Sequence, residues 1–137
     1  MPVGVMIVDD SFLMRTVIKK IIADAPDVQV LGEAENGQVA LDKVRELKPD
    51  VVLLDIEMPV MDGLELMKRL KLVSRAKVVI ISSVAQVGSP QAVEARRLGA
   101  VDVVAKPSGA MSLDLGEKRS HEILKAIRKA ANVSETE

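Results

Sequence analysis

Two short stretches of this chain, Val51 to Leu54 and Val78 to Ile81, are apolar at every position. A strand with one solvated face alternates apolar and polar residues, so a wholly apolar strand must be covered on both faces. That requirement points to a parallel sheet with helices on either side.

The rest of the chain supplies the partners in strict alternation. Val3 to Val8 is a brief, largely β-branched run broken at Asp9-Asp10, and from Ser11 to Ala25 a helical period places Val17, Ile18, Ile21 and Ile22 on one face. Pro26 and Asp27 end that helix, and Val28 to Ala34 is a second strand. Asn36-Gly37 turns into a helix with Ala40, Val44 and Leu47 inward, punctuated by Pro49. After the third strand and a loop with Pro59 and Gly63, Leu64 to Leu72 is helical. The fourth strand is Val78 to Ile81, a weaker helix spans Gln91 to Leu98, and Val101 to Ala105 is the fifth strand. From Gly116 a tail helix places Ile123, Ile127 and Ala131 on one side. The pattern is (βα)5, an α/β fold. Residues 1–107 plus the tail helix to about 131 are expected to form one domain. Residues 108–116 form an apolar loop, and 132–137 a frayed end or the start of a linker.

Composition narrows function by exclusion. Nineteen basic and twenty acidic residues nearly cancel, so no single-sign field draws nucleic acid or an anionic membrane. Cysteine is absent, which removes thiolate ligands and thiol catalysis. Phe12 is the single aromatic residue, so ligands that stack a ring, such as flavin or single-stranded nucleic acid, are disfavoured. A P-loop sequence is missing. The opening MPVGVMIVDDS lacks a charged signal-peptide start, and no apolar run reaches the ~20 residues of a spanning helix. The expectation is a cytoplasmic protein that binds neither nucleic acid nor membrane.

In an open parallel sheet, ligands bind beyond the carboxyl ends of the strands. Strand one ends in Asp9 and Asp10, strand three in Asp55, strand four in Ser82 and Ser83, and strand five in Lys106. Strand two ends only in Ala34 and Glu35. Three converging carboxylates must stay partly protonated or share a cation. An all-oxygen set without cysteine suits Mg²⁺ or Mn²⁺. A divalent ion, an ammonium and a hydroxyl together can neutralise the oxygens of a transferring phosphoryl group. Asp55, on the central strand, is the natural nucleophile.

These residues resemble the two-component receiver domain family over essentially the whole chain. The likeness rests on VDDS (Val8 to Ser11), DIEMPVMDG (Asp55 to Gly63), VVIISS (Val78 to Ser83) and GAVDVVAKP (Gly99 to Pro107), taken in that order and spacing. The resemblance implies the flavodoxin-like strand order 2-1-3-4-5 with helices on both faces. It implies that Asp55 accepts phosphate from a histidine kinase, with Mg²⁺ held by Asp10, Asp55 and the backbone carbonyl of Glu57, and Asp9 acting mainly through water. Ser82, the first hydroxyl after the apolar run, and Lys106 would each bind a phosphoryl oxygen, and the Lys106–Pro107 bond would be cis.

A finer likeness, carried by VDDSFLMR, the DIEMP run, ISSV and KPSGAMSLDL, is to the receiver of the chemotaxis protein-glutamate methylesterases. There the receiver precedes a hydrolase domain and restrains it until phosphorylated. This chain has no G-x-S-x-G and one histidine, so it is no hydrolase. It reads as a switch acting on a methylesterase domain outside the chain. The alternative is a free-standing receiver acting on a motor or kinase partner. A phosphoryl-transfer enzyme proper is disfavoured, because no separate general acid-base stands near Asp55.

Several residues have plainer readings. Asp10 is placed where a helix N-cap would be. Val103 stands where many receivers carry an aromatic, so its stiff side chain cannot report the state by swinging inward. The signal is then expected to pass through the loop after Ser83, the fourth helix and the fifth strand. Glu57 is either solvated or a modulator of water access, and Met58 and Met61 fill gaps. His121 is an exposed helix residue. Met111, Leu113 and Leu115 either dock a partner or pack on the domain itself.

Overall fold

The computed structural model describes residues 2–56, 63–83, 87–107 and 113–136, with side chains left aside at 113–116 and 133–136. Ten elements alternate: β1 (Val3–Val8), α1 (Phe12–Ala23), β2 (Val28–Ala34), α2 (Gly37–Leu47), β3 (Val51–Asp55), α3 (Gly63–Val73), β4 (Lys77–Ser82), α4 (Pro90–Arg97), β5 (Asp102–Ala105) and α5 (Leu113–Thr136). The strands form one parallel sheet in the order β2-β1-β3-β4-β5. This is the flavodoxin-like arrangement expected from the sequence.

The wholly apolar strands explain the two-sided packing. Successive strand residues point to opposite faces, so Val51 and Leu53 enter a core with Val5, Ile7, Ile18, Ile22, Ile123 and Ile127, beneath α1 and α5. Val52 and Leu54 enter a second core with Met6, Val8, Val44, Leu66, Met67 and Ile80, beneath α2, α3 and α4. Val103 is buried in this second core.

Side-chain caps start α1, α2 and α4. Ser11, rather than Asp10, caps α1 by accepting the Met14 N–H at 3.1 Å, which frees the Asp10 carboxylate from the plainer role suggested for it. Asn36 caps α2 through Val39 N at 2.9 Å, and Ser89 caps α4 ahead of Pro90. Lys48 ends α2 in the left-handed conformation at φ 47°, a cap that glycine usually supplies.

Two expectations need correction. Helix α5 begins at Leu113, not Gly116, and runs to Thr136 rather than ending near 131. One interior glycine costs a helix only about 1 kcal/mol, and nothing from Asn132 to Thr136 breaks the pattern, since proline and glycine are absent there. Residues 113–116 therefore belong to the helix, not to the apolar loop. The second correction concerns Lys106–Pro107: no cis peptide occurs among the described residues, so this bond is trans. Trans is the intrinsically favoured isomer, and with it the Lys106 N–H still reaches the Ser82 carbonyl at 2.8 Å.

Candidate functional site

Sheet register assembles the site. Val8 pairs with Leu54, so Asp9 follows β1 at the level of Asp55. Asp55 pairs with Ile81, which puts Ser82 one step beyond it, and Ser82 pairs with Ala105, which puts Lys106 next in line. The strand order reverses between β1 and β3, where open α/β sheets leave a crevice for ligands.

One carboxylate oxygen from each of Asp9, Asp10 and Asp55 lies within 4.8 Å of the others. Asp9 and Asp55 are buried, at 1% and 2% exposure, whereas Asp10 is exposed. Two unit charges about 4 Å apart interact with about 4 kcal/mol at the screening typical of a protein surface, so such a trio needs compensation. Lys106 provides part of it. Its Nζ donates to Asp55 Oδ2 at 2.9 Å and lies 3.3 Å from Asp9 Oδ2. The second approach has the distance of an ion pair but not the direction of a hydrogen bond, so Asp9 Oδ2 lacks a hydrogen-bond partner. Burial works against the Lys106 charge, but the Asp55 hydrogen bond and the Asp55 and Asp9 carboxylates outweigh it, holding its pKa above the ordinary lysine value.

The Ser82 hydroxyl, at 1% exposure, is a second buried polar group beside the cluster without a hydrogen-bond partner, whereas Ser83 is exposed. Buried polar atoms are nearly always paired, so each orphan calls for a ligand, an ion or a water. Two orphans at the ends of β1 and β4, bracketing Asp55, mark a small polar hole. The residues fit a hard divalent cation, since all donors are oxygens and one buried carboxylate oxygen still lacks a hydrogen-bond donor.

Asp9, Asp10, Asp55, Ser82 and Lys106 all stand at the carboxyl end of the sheet, as the sequence predicts. Glu57, Met58, Met61 and Met111 lie outside the described residues, as do the side chains of Leu113 and Leu115. His121 is exposed. Gly63, read from the sequence as a loop residue that serves backbone geometry, begins α3 directly beneath the site. A Cβ there would lie 2.7 Å from Ile56 Cα and 2.8 Å from the Asp55 carbonyl oxygen. A groove of about 440 Å³ between α2 and α3, lined by residues such as Leu41, Arg45 and Leu72, is separate from the acid cluster.

Sequence reasoning missed Arg15 and Glu33. Arg15 is buried, donating through Nη1 to the Asp9 carbonyl at 2.6 Å and through Nε to Glu33 Oε1 at 2.9 Å. The signal was present: Arg15 shares a helix face with Ile18 and Ile22 at spacings of three and seven, a charged residue within an apolar stripe.

The fold and this cluster define a receiver. The family model for the response regulator receiver domain matches residues 5–115, and the chain belongs to that family. Within it, the likeness is to the receivers of protein-glutamate methylesterases. The chain is 47% identical over 130 residues to protein-glutamate methylesterase/protein-glutamine glutaminase 1 of Syntrophomonas wolfei, covering 95% of this chain and 37% of that protein. It is 46% identical to the corresponding protein of Bacillus licheniformis, covering 91% of this chain and 35% of that one. The chain thus spans little more than a third of these relatives. Among solved structures, the response regulator domain of Thermotoga maritima CheB superposes with a TM-score of 0.85 at 42% identity, over 96% of this chain and 98% of that one. A chain in the complex of the CheA3 P1 domain with CheY6 from R. sphaeroides gives a TM-score of 0.78 at 48% identity, over 94% and 96%. Among the described residues, no helix is long and apolar enough to cross a membrane.

Proposed function

We propose that this chain is a phosphorylation switch whose phosphoacceptor is Asp55. The observation that carries the reading is the 2.9 Å bond from Lys106 Nζ to Asp55 Oδ2, made inside a cluster of three carboxylates. A lysine turned away from that carboxylate would have left the acids without a phosphoryl-binding partner.

In the step itself, an Asp55 carboxylate oxygen attacks the phosphorus of a phosphohistidine on a histidine kinase. The P–N bond breaks, a P–O bond forms, and the departing imidazole nitrogen keeps the electron pair. Asp9, Asp10 and Asp55, with the Glu57 carbonyl, would hold Mg²⁺, or Mn²⁺ in its place, which when bound offsets negative charge on the phosphoryl oxygens. Once one Asp55 oxygen is esterified, that carboxylate no longer carries its own charge. The Lys106 ammonium then follows the negative charge to a phosphoryl oxygen. The Ser82 hydroxyl, buried and without a hydrogen-bond partner, donates to another. Each new bond exists only in the phosphorylated form, so each biases a two-state equilibrium toward it. A bias of about 1–3 kcal/mol is typical of allosteric coupling.

Phe12 and Leu13, highly exposed just past Asp9-Asp10, offer apolar surface to a partner such as the P1 domain of CheA3, found in complex with CheY6. The output partner best supported by the likeness is a methylesterase catalytic domain, because the similar curated proteins are methylesterases nearly three times as long as the matched segment. The alternative is a free-standing receiver acting on a motor or kinase partner, and the 96% coverage of a chain in the CheY6 complex supports it.

Acetyl phosphate with Mg²⁺ tests the acceptor. Intact-protein mass spectrometry is expected to show one phosphoryl adduct, absent from Asp55→Asn. An equal adduct in that variant would rule out Asp55. Mixing the phosphorylated chain with a methylesterase catalytic fragment, and assaying binding and hydrolysis, separates the two output readings.

A further inference from the structure

Among the described residues, Arg15 is the one buried charged side chain near the acid cluster that the proposed phosphoryl chemistry leaves without a task. Its guanidinium spans three elements. From α1 it reaches the Asp9 carbonyl at 2.6 Å at the end of β1 and Glu33 Oε1 at 2.9 Å on β2. It also lies 5.8 Å from the centre of the Phe12 ring. Glu33 is held in turn by Lys19 Nζ at 2.7 Å, and its backbone carbonyl accepts from Lys43 Nζ of α2 at 2.7 Å.

The Arg15 bond completes a set of restraints on Asp9. The Asp9 N–H donates to the Ala34 carbonyl at 3.1 Å, and its Oδ1 accepts from Ser11 N–H at 2.8 Å. With the carbonyl taken by Arg15, the remaining Oδ2 is the oxygen left facing the cluster, and it has no hydrogen-bond partner. The peptide carbonyl that Arg15 grips is the link between Asp9 and Asp10, so the guanidinium sets the orientation of the backbone that carries both acids. Strand β2, which ends in no residue of the site, thereby acts on it through Glu33.

We propose that Arg15, anchored by Glu33, is a positioning residue that fixes the Asp9–Asp10 turn for binding a divalent cation. This rests on the reading of the acid cluster as a cation site given above. Groups that orient metal ligands typically contribute about 10–100-fold to metal affinity. A planar guanidinium meets two acceptors on fixed vectors, which a lysine ammonium cannot reproduce.

The test is calorimetric titration of the chain with Mg²⁺ alone, with a urea midpoint for each variant. Arg15→Met keeps the aliphatic stem and is expected to weaken Mg²⁺ binding at least about tenfold, and to shift the Asp10 and Ser11 amide resonances without metal. Arg15→Lys should fall between it and the unsubstituted protein. Glu33→Gln should weaken binding by less than Arg15→Met, because the bond to Asp9 survives while its anchor is loosened. Glu94→Gln, which breaks the exposed pair with Arg97 on α4, should leave affinity unchanged. Unchanged affinity in Arg15→Met, even with a lower urea midpoint, overturns the proposal. Should that variant not fold, unchanged affinity in both Arg15→Lys and Glu33→Gln overturns it equally. Absence of Mg²⁺ binding by the unsubstituted chain would instead remove the cation site itself, and the brace with it.

Discussion

At the scale of single residues, Lys106 carries the strongest consequence. Its ammonium faces two buried carboxylates, and they outweigh burial to raise its pKa. A group whose folded pKa exceeds its unfolded value contributes stability that is complete below the unfolded pKa and is lost as pH rises through the folded one. The unfolded value is about 10.4. The difference in urea midpoint between the unsubstituted protein and Lys106→Met should therefore be constant from about pH 7 to 9, and shrink as pH rises beyond about 10.5. A difference that changed between pH 7 and 9 would point to another titrating group. Ser82 is the complementary case. Position after an apolar run suggested it over Ser83, and burial at the end of β4 separates the two. What no spacing rule could reveal is that its hydroxyl lacks a hydrogen-bond partner, a property of everything packed around it.

At the scale of elements, the strand and helix series was legible because each signal is local: apolar runs, a 3.6-residue period, and the Asn36-Gly37 turn into a helix. Boundaries were less so. Helix α5 begins three residues earlier than its glycine suggested, because tertiary packing of Ile123, Ala126, Ile127 and Ala130 sustains a helix through a weak position. Gly63 shows the opposite limit. Its need for a missing side chain comes from the backbone of Ile56 and Asp55, which lies against the start of α3. Because the obstructing atoms are backbone, no rotamer change relieves them. Gly63→Ala is thus expected to destabilise the chain by about 1–3 kcal/mol, measurable as a lower urea midpoint. The displacement it forces falls on the Asp55 peptide, so adduct formation with acetyl phosphate should slow as well. A neutral midpoint would show that the backbone at Asp55 and Ile56 yields to the methyl.

At the scale of the whole molecule, three carboxylates held together by a sheet represent charge repulsion built into the folded state. The unfolded chain disperses those charges, so a cation that binds the folded cluster shifts the folding equilibrium by mass action. With Mg²⁺ at about 100 times its dissociation constant, the gain should be about 2.7 kcal/mol. Thermal unfolding with Mg²⁺ and with a chelator should differ accordingly, and the difference should fall sharply in Asp10→Asn. Equal midpoints with and without Mg²⁺, in the range where calorimetry detects binding, would mean that the cluster is not the binding site. The wider circuit of kinase and output domain was suggested by family likeness and not by geometry, because the surfaces that recognise partners are chosen by molecules outside this chain.

Alternation of apolar runs and helical periods was enough to prescribe a two-sided parallel sheet, since burying β-branched residues on both faces admits few other solutions. The types of residue at the strand ends were enough to nominate acids, a hydroxyl and a lysine for one crevice. Their convergence required the register: Val8 against Leu54, Asp55 against Ile81 and Ser82 against Ala105. The Arg15 brace needed still more. A hydrogen bond between a helix side chain and a strand-end carbonyl depends on angles and depths of packing that no run of residues encodes locally, and only the folded chain decides them.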